Sequence, residues 1–201
     1  FADNLGIPTA HIGMIGGIYT AAAAVAGLLG SLFLDRFDRK NALGLAMMGM
    51  VLGTALGGMA TGLTSMLFAR VVAGLFGGPA TSIALAIVAD TVPAARRGKA
   101  LGAVMGAFAV ASVLGVPMGL ELSQRVSWRA PFFAVAALGL IVSLTAISFM
   151  PPMRSHLERA KAAKNQPRAK LLDGVAGLSL GTVGLIMLGV FAVVPSISPF
   201  V

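Results

Sequence analysis

Six stretches of this 201-residue chain stay apolar for about twenty residues or more, and this decides most of what it can fold into. A helix rises about 1.5 Å per residue, so roughly 20 apolar residues cross the hydrocarbon core of a bilayer. The stretches run over residues 12–34, 41–61, 65–89, 100–122 and 130–150, and from 171 to 201. They predict an all-α membrane protein with six spans. Composition agrees. The chain is 57% apolar and 11% charged, with a mean hydropathy of +0.92. A soluble domain is about 25% charged. A soluble domain with one buried core is therefore excluded, and so is a disordered chain, which needs low hydrophobicity. With no cysteine, disulfides, iron–sulfur clusters and thiolate zinc sites are excluded as well.

Short polar pieces separate the spans: residues 35–40, a tight turn at 61–65, a basic loop at 90–99, a connection at 123–129, and a longer link at 151–170. Successive connections alternate sides of the membrane. One side collects Arg36, Arg39, Lys40, Arg96, Arg97, Lys99, Arg154, Arg159, Lys161, Lys164, Arg168 and Lys170. The other holds Arg125 and Arg129, while Arg70 falls inside a span. The positive-inside rule makes the crowded side cytoplasmic. The net charge of +8 is then topology, and no nucleic-acid partner is required. Trp128 belongs at the outer interface. The basic stretch 153–164 fits either a surface helix on an anionic leaflet or a solvated linker. The chain begins at Phe1, and residues 1–8 read as the exit from an earlier helix, so the sequence reads as an excerpt of a longer polypeptide.

Small residues recur every four positions within three spans: Gly49, Gly53 and Gly57; Gly74, Gly78, Ser82 and Ala86; Ala103, Ala107, Ala111, Gly115 and Gly119. Such stripes let helix backbones approach closely. Pro79 and Pro117 each remove a backbone hydrogen bond inside a span. With Gly115 and Gly119 they are candidate helix hinges, or plain kinks in a static bundle.

The run Leu34-Asp35-Arg36-Phe37-Asp38-Arg39-Lys40 resembles the loop motif of the major facilitator superfamily, G-x-L-a-D-r-x-G-r-k. Asp35, Arg36, Arg39 and Lys40 fall on matching positions; Ser31 and Asp38 stand where glycines are usual. Arg70 with Gly74 and Gly78 resembles the R-x-x-x-G pattern of that family's fourth helix. Asp90-x-x-Pro93-x-x-Arg96-Arg97-Gly98-Lys99 resembles the loop that follows it. Gly115-Val116-Pro117-Met118-Gly119 resembles the fifth-helix antiporter motif, in the form seen in the arabinose-efflux and drug–proton antiporter branch. Trp128-Arg129-Ala130-Pro131-Phe132 looks like the start of the sixth helix. The resemblance covers nearly the whole chain. It implies helices two to seven of a twelve-helix fold. Residues 1–150 would be an N-terminal bundle lacking its first helix, 151–170 the cytoplasmic link, and 171–201 the first helix of the second bundle. It also implies the remaining half of the transporter as a partner.

On this reading Asp35, Arg36, Arg39, Lys40, Asp90 and Arg97 form a cytoplasmic charge cluster that latches helices in one state of the transport cycle. The alternative is topogenic charge with exposed pairs worth about 0–1 kcal/mol. Arg70 is the one charge inside a span, and such residues face a cavity or a partner unless they snorkel. Asp90 lies about 30 Å away along the same helix, so Glu121 is the candidate partner. Tyr19 needs a partner for its hydroxyl, either in a substrate cavity or as a structural bond. A proton-coupled antiporter needs an acid that titrates in its cavity, and no span here has one at its centre; related transporters carry it on the absent first helix.

Two other chemistries are set aside. His11 with Met14, and Met47, Met48 and Met50, include Cu(I)-type ligands, but methionines in a membrane chain are ordinarily packing. Gly177-Leu178-Ser179-Leu180-Gly181 fits G-x-S-x-G but lies inside an apolar helix, far from either histidine. No catalytic, metal or cofactor site is expected, and no enzymatic activity. The expected function is secondary active transport of a small molecule by alternating access. Proton-coupled efflux across a bacterial inner membrane is implied by resemblance. The rival is a non-transporting member of the fold, an assembly factor or receptor in a membrane complex.

Overall fold

The computed structural model describes residues 11–33, 37–153 and 182. The chain divides into two compact units, Phe1–Arg159 and Ala160–Val201. Of the second, only Thr182, which is helical, lies among the described residues. The sixth expected span is therefore otherwise outside them. Among its described residues the first unit has five helices: α1 Ile12–Phe33, α2 Arg39–Gly58, α3 Leu63–Thr91, α4 Ala94–Arg125 and α5 Ala130–Phe149. All five are long and apolar enough to cross a membrane. Because the connections are short, successive helices run up and down. The start of α2, the junction of α3 with α4 and the exit of α5 share one end, the basic end.

The spans expected from hydropathy sit inside these helices, but one connection differs. Residues 90–99 were expected as a loop. Instead α3 runs on to Thr91 and α4 begins at Ala94, leaving only Val92 and Pro93 between them. Pro93 occupies the N-cap position of α4, where its missing N–H costs nothing. Arg96, Arg97 and Lys99 are good helix formers and continue the helix outward. Hydropathy ends where the lipid ends, whereas the helix does not. At about 1.5 Å per residue, α3 and α4 reach about 44 and 48 Å, beyond a hydrocarbon core of roughly 30 Å. Both helices run without a break through Pro79 and Pro117.

Helix α3 is the centre of the bundle, packed along α1 and α2, and α2 also packs along α5. Glycines set these distances. A methyl group at Gly74 would lie 2.5 Å from the Tyr19 carbonyl of α1, and one at Gly78 would collide with the Ala23 backbone. One at Gly53 of α2 would collide with the Ala73 backbone of α3. Two apolar cores result. Ala42, Leu43, Ala46, Ala80, Ile83 and Ile87 form one, with Met47, Met150 and Met153 against it. Ile15, Ala60 and Met66 form the other, with Leu63, Leu67, Trp128 and Phe132 against it. Most hydroxyls within the helices, such as Thr54, Thr81, Ser82 and Thr145, donate to the carbonyl four residues back, which suits an apolar surrounding. Helix α4 stands apart: it only brushes α3 and α5, and none of its residues is buried.

Candidate functional site

At the basic end, the N-terminus of α2 meets the C-terminus of α3. Asp38 is the N-cap of α2 and accepts a hydrogen bond from the Lys40 N–H at 3.0 Å. Arg39 is the first residue of α2, and its guanidinium reaches Asp90, one residue from the end of α3, at 2.9 Å. Each charge sits at the wrong end of its own helix. A cation at an N-terminus and an anion at a C-terminus are each disfavoured by the helix dipole. Paired, each lies against the favourable end of the neighbouring helix. Their side chains are 14% and 26% exposed, so the pair is partly withdrawn from solvent. That places its worth above the ~0–1 kcal/mol of an exposed pair and below the 3–5 kcal/mol lost on breaking a buried one.

Only part of the expected charge cluster can be placed. Arg39 and Asp90 come together. Asp35 and Arg36 lie outside the described residues. The Lys40 ammonium and the Arg97 guanidinium engage no acid among the described residues, and Arg97 stands exposed on the first turns of α4. One residue was read only as a departure from the motif, namely Asp38. Besides capping α2, its Oδ1 accepts from the Met153 N–H beyond α5. The signal available in sequence was an aspartate directly before an apolar helix.

The opposite end holds Arg70 in a different way. Its guanidinium lies over the Phe132 ring of α5, 4.9 Å from the centroid. Trp128 meets Phe132 edge-on at 6.1 Å, and Arg129 lies 4.6 Å over Trp128 while donating to the Ala60 carbonyl at 3.2 Å. Gly57 and Gly58 at the end of α2 leave the room that Phe132 and Phe133 occupy. The pairing of Arg70 with Glu121 suggested by chain order does not occur. Glu121 pairs instead with Arg125 one turn on, and both are exposed. The reason is reach: α4 scarcely touches α3, so a carboxylate on α4 finds its partner on its own helix. Arg70 Nε stays buried without a hydrogen-bond partner, which leaves a polar atom available. Tyr19 lies along α3 with its carbonyl against Gly74, one turn from Arg70. Its hydroxyl is tucked against Gly77, near the Met50 sulfur, where α1, α2 and α3 converge. Gly115, Pro117 and Gly119 face open space in α4, and Pro79 lies in the middle of α3.

Five lipid-length helices among the described residues, two of them joined by an ion pair at the basic end, make this a multi-pass membrane protein. The Major Facilitator Superfamily profile matches residues 1–201, and the chain belongs to that family, whose members are transporters and not enzymes. Among its relatives is an uncharacterized MFS-type transporter, YtbD, of Bacillus subtilis. It is 29% identical over 144 residues, which cover 72% of this chain and 36% of that protein. A probable 4-methylmuconolactone transporter of Cupriavidus pinatubonensis is 28% identical over 172 residues, 83% of this chain and 39% of that one. The efflux pump bfoC of Aspergillus brasiliensis is 35% identical over 136 residues, 65% of this chain and 24% of that one. The chain thus spans well under half the length of these relatives.

Proposed function

We propose that this chain is part of a secondary active transporter that exports a small molecule by alternating access, with the proton gradient as driver. The observation that carries the reading is the Arg39–Asp90 pair, which joins α2 to α3 at the end that the charge count makes cytoplasmic. A contact of this strength is suited to bias two states that differ by a few kcal/mol. Asp35, Arg36, Lys40 and Arg97 extend the same latch. Export finds support in a relative named as an efflux pump and in the antiporter-like run 115–119. Another relative is named a probable 4-methylmuconolactone transporter, which favours small organic solutes. Arg70 and Tyr19 are the cavity or coupling candidates, because Arg70 is a charge inside a span and Tyr19 lies against the same helix one to two turns further on. Glu121, exposed and paired with Arg125, is the weakest of the three. Prolines 79 and 117, with Gly115 and Gly119, are the hinge candidates. The intact protein would use the other half of the fold to complete its substrate site. A bacterial inner membrane suits two of the named relatives.

Counterflow of labelled small organic solutes into proteoliposomes tests this reading. Uptake driven by an outward solute gradient, lost on Asp90→Asn, supports it. No flux for any solute, together with stable co-purification of another membrane protein, favours a non-transporting assembly factor or receptor instead.

A further inference from the structure

The basic end holds one long-range polar contact that the latch does not use. After α5 the chain passes Pro151 and Pro152, whose fixed φ and missing N–H groups end the helix and hold an extended lead. At Met153 it meets the start of α2, 115 residues earlier in the chain. The Met153 N–H donates to Asp38 Oδ1 at 3.2 Å, and the Arg39 N–H donates to the Met153 carbonyl at 3.4 Å. The Met153 side chain packs against the core built by Leu43, Ile83 and Ile87. Asp38 Oδ1 therefore serves two donors at once, Lys40 N–H for the cap and Met153 N–H for the clip. A glycine, the residue usual at this point of the motif, serves neither. A serine would cap the helix equally well, but its hydroxyl is one bond shorter and falls short of Met153.

We propose that Asp38 is a positioning residue that clips the start of the connecting segment, at Met153, to the N-terminus of α2. Through the shared backbone of Arg39 it sets the guanidinium that Asp90 engages. Arg39 is held on both sides, its N–H by Met153 and its guanidinium by Asp90. A pull on the connecting segment is thereby transmitted to the ion pair. The effect on transport rests on the latch reading above; the clip itself does not.

The test reads hydrogen exchange at the Met153 amide in the intact membrane protein, by mass spectrometry of short fragments that contain residue 153. Exchange is followed in four proteins: Asp38 unchanged, Asp38→Asn, Asp38→Ser and Asp38→Ala. Asparagine keeps an acceptor of the same reach, serine keeps the cap and loses the clip, and alanine loses both. The amide is expected to be protected in the first two. Its exchange should speed up about tenfold in Asp38→Ser and Asp38→Ala, as fits the loss of one hydrogen bond. Asp38→Ser carries the test if the alanine variant does not fold. An amide equally protected in all four, or unprotected in Asp38→Asn as well, overturns the clip. If exchange follows the expected pattern while Asp90→Asn transports at the unaltered rate, the clip stands and the latch reading falls.

Discussion

Helices α3 and α4 look alike as sequences. Each is about 30 residues long, each carries small residues at spacings of four, and each has one proline within its apolar stretch. In the fold they are opposites. The Gly74–Gly78 stripe of α3 is filled by the backbone of α1, and its Ala73 face by Gly53 of α2. On the stripe of α4, a side chain placed at Gly115 or Gly119 would have nothing within 4 Å among the described residues. Small-residue spacing thus marks a surface on which a backbone can lie; it does not say whether one lies there. Only the approach distance separates an occupied seam from an open one.

The largest effect that bears on this contrast should come from Gly78→Val. The new side chain meets the Ala23 backbone, which cannot step aside, and overpacking of this kind costs about 3 kcal/mol or more. Unfolding in detergent should show a marked loss of stability or no folded protein. Gly119→Val should stay within about 0.5 kcal/mol, as at other uncrowded sites. An equal loss at both positions in the intact protein would mean that another helix fills the α4 stripe. The next effect concerns the contact that α3 makes through charge. Asp90→Asn removes the charge that faces the partly buried Arg39 guanidinium, and counterflow should fall at least about tenfold, the equivalent of ~1.4 kcal/mol. A smaller change is expected from Phe132→Leu, which keeps an apolar side chain but removes the ring beneath Arg70 and its edge-on contact with Trp128. A cation–π contact of this kind is worth about 0.5–2 kcal/mol, and the loss should appear as a lower unfolding midpoint. The smallest belongs to Ser143, whose hydroxyl is fully buried in α5 without a hydrogen-bond partner. Ser143→Ala should be neutral or stabilising by up to about 1 kcal/mol, because it removes an unpaired polar group. A clear loss of stability there would show that the hydroxyl finds a partner.

The spans were legible because lipid imposes one pattern, a long apolar run, and α1, α2, α3 and α5 follow it closely. The start of α4 was less so, because Arg96, Arg97 and Lys99 end the apolar run but not the helix. The charge cluster was half legible. Arg39 and Asp90 stand on family-like positions, and the structure pairs them, whereas Asp35 and Arg36 lie outside the described residues. The partner of Arg70 was misread because order along the chain placed Glu121 on a neighbouring helix. Adjacency in sequence does not bring α4 against α3, and the ring that covers Arg70 comes from α5. The second bond of Asp38 was beyond reach for the same reason: nothing local to residue 38 points to residue 153.

The central claim is that Arg39 and Asp90 act as a pair that joins α2 to α3 and that transport depends on it. Exchanging the two charges tests it most directly. The double variant Arg39→Asp with Asp90→Arg restores opposite charges and places each at the favoured end of its own helix. Counterflow in proteoliposomes should collapse in each single variant and return to a substantial fraction of the original rate in the double one. Single variants that transport normally, or a double variant no better than the singles, would contradict the account.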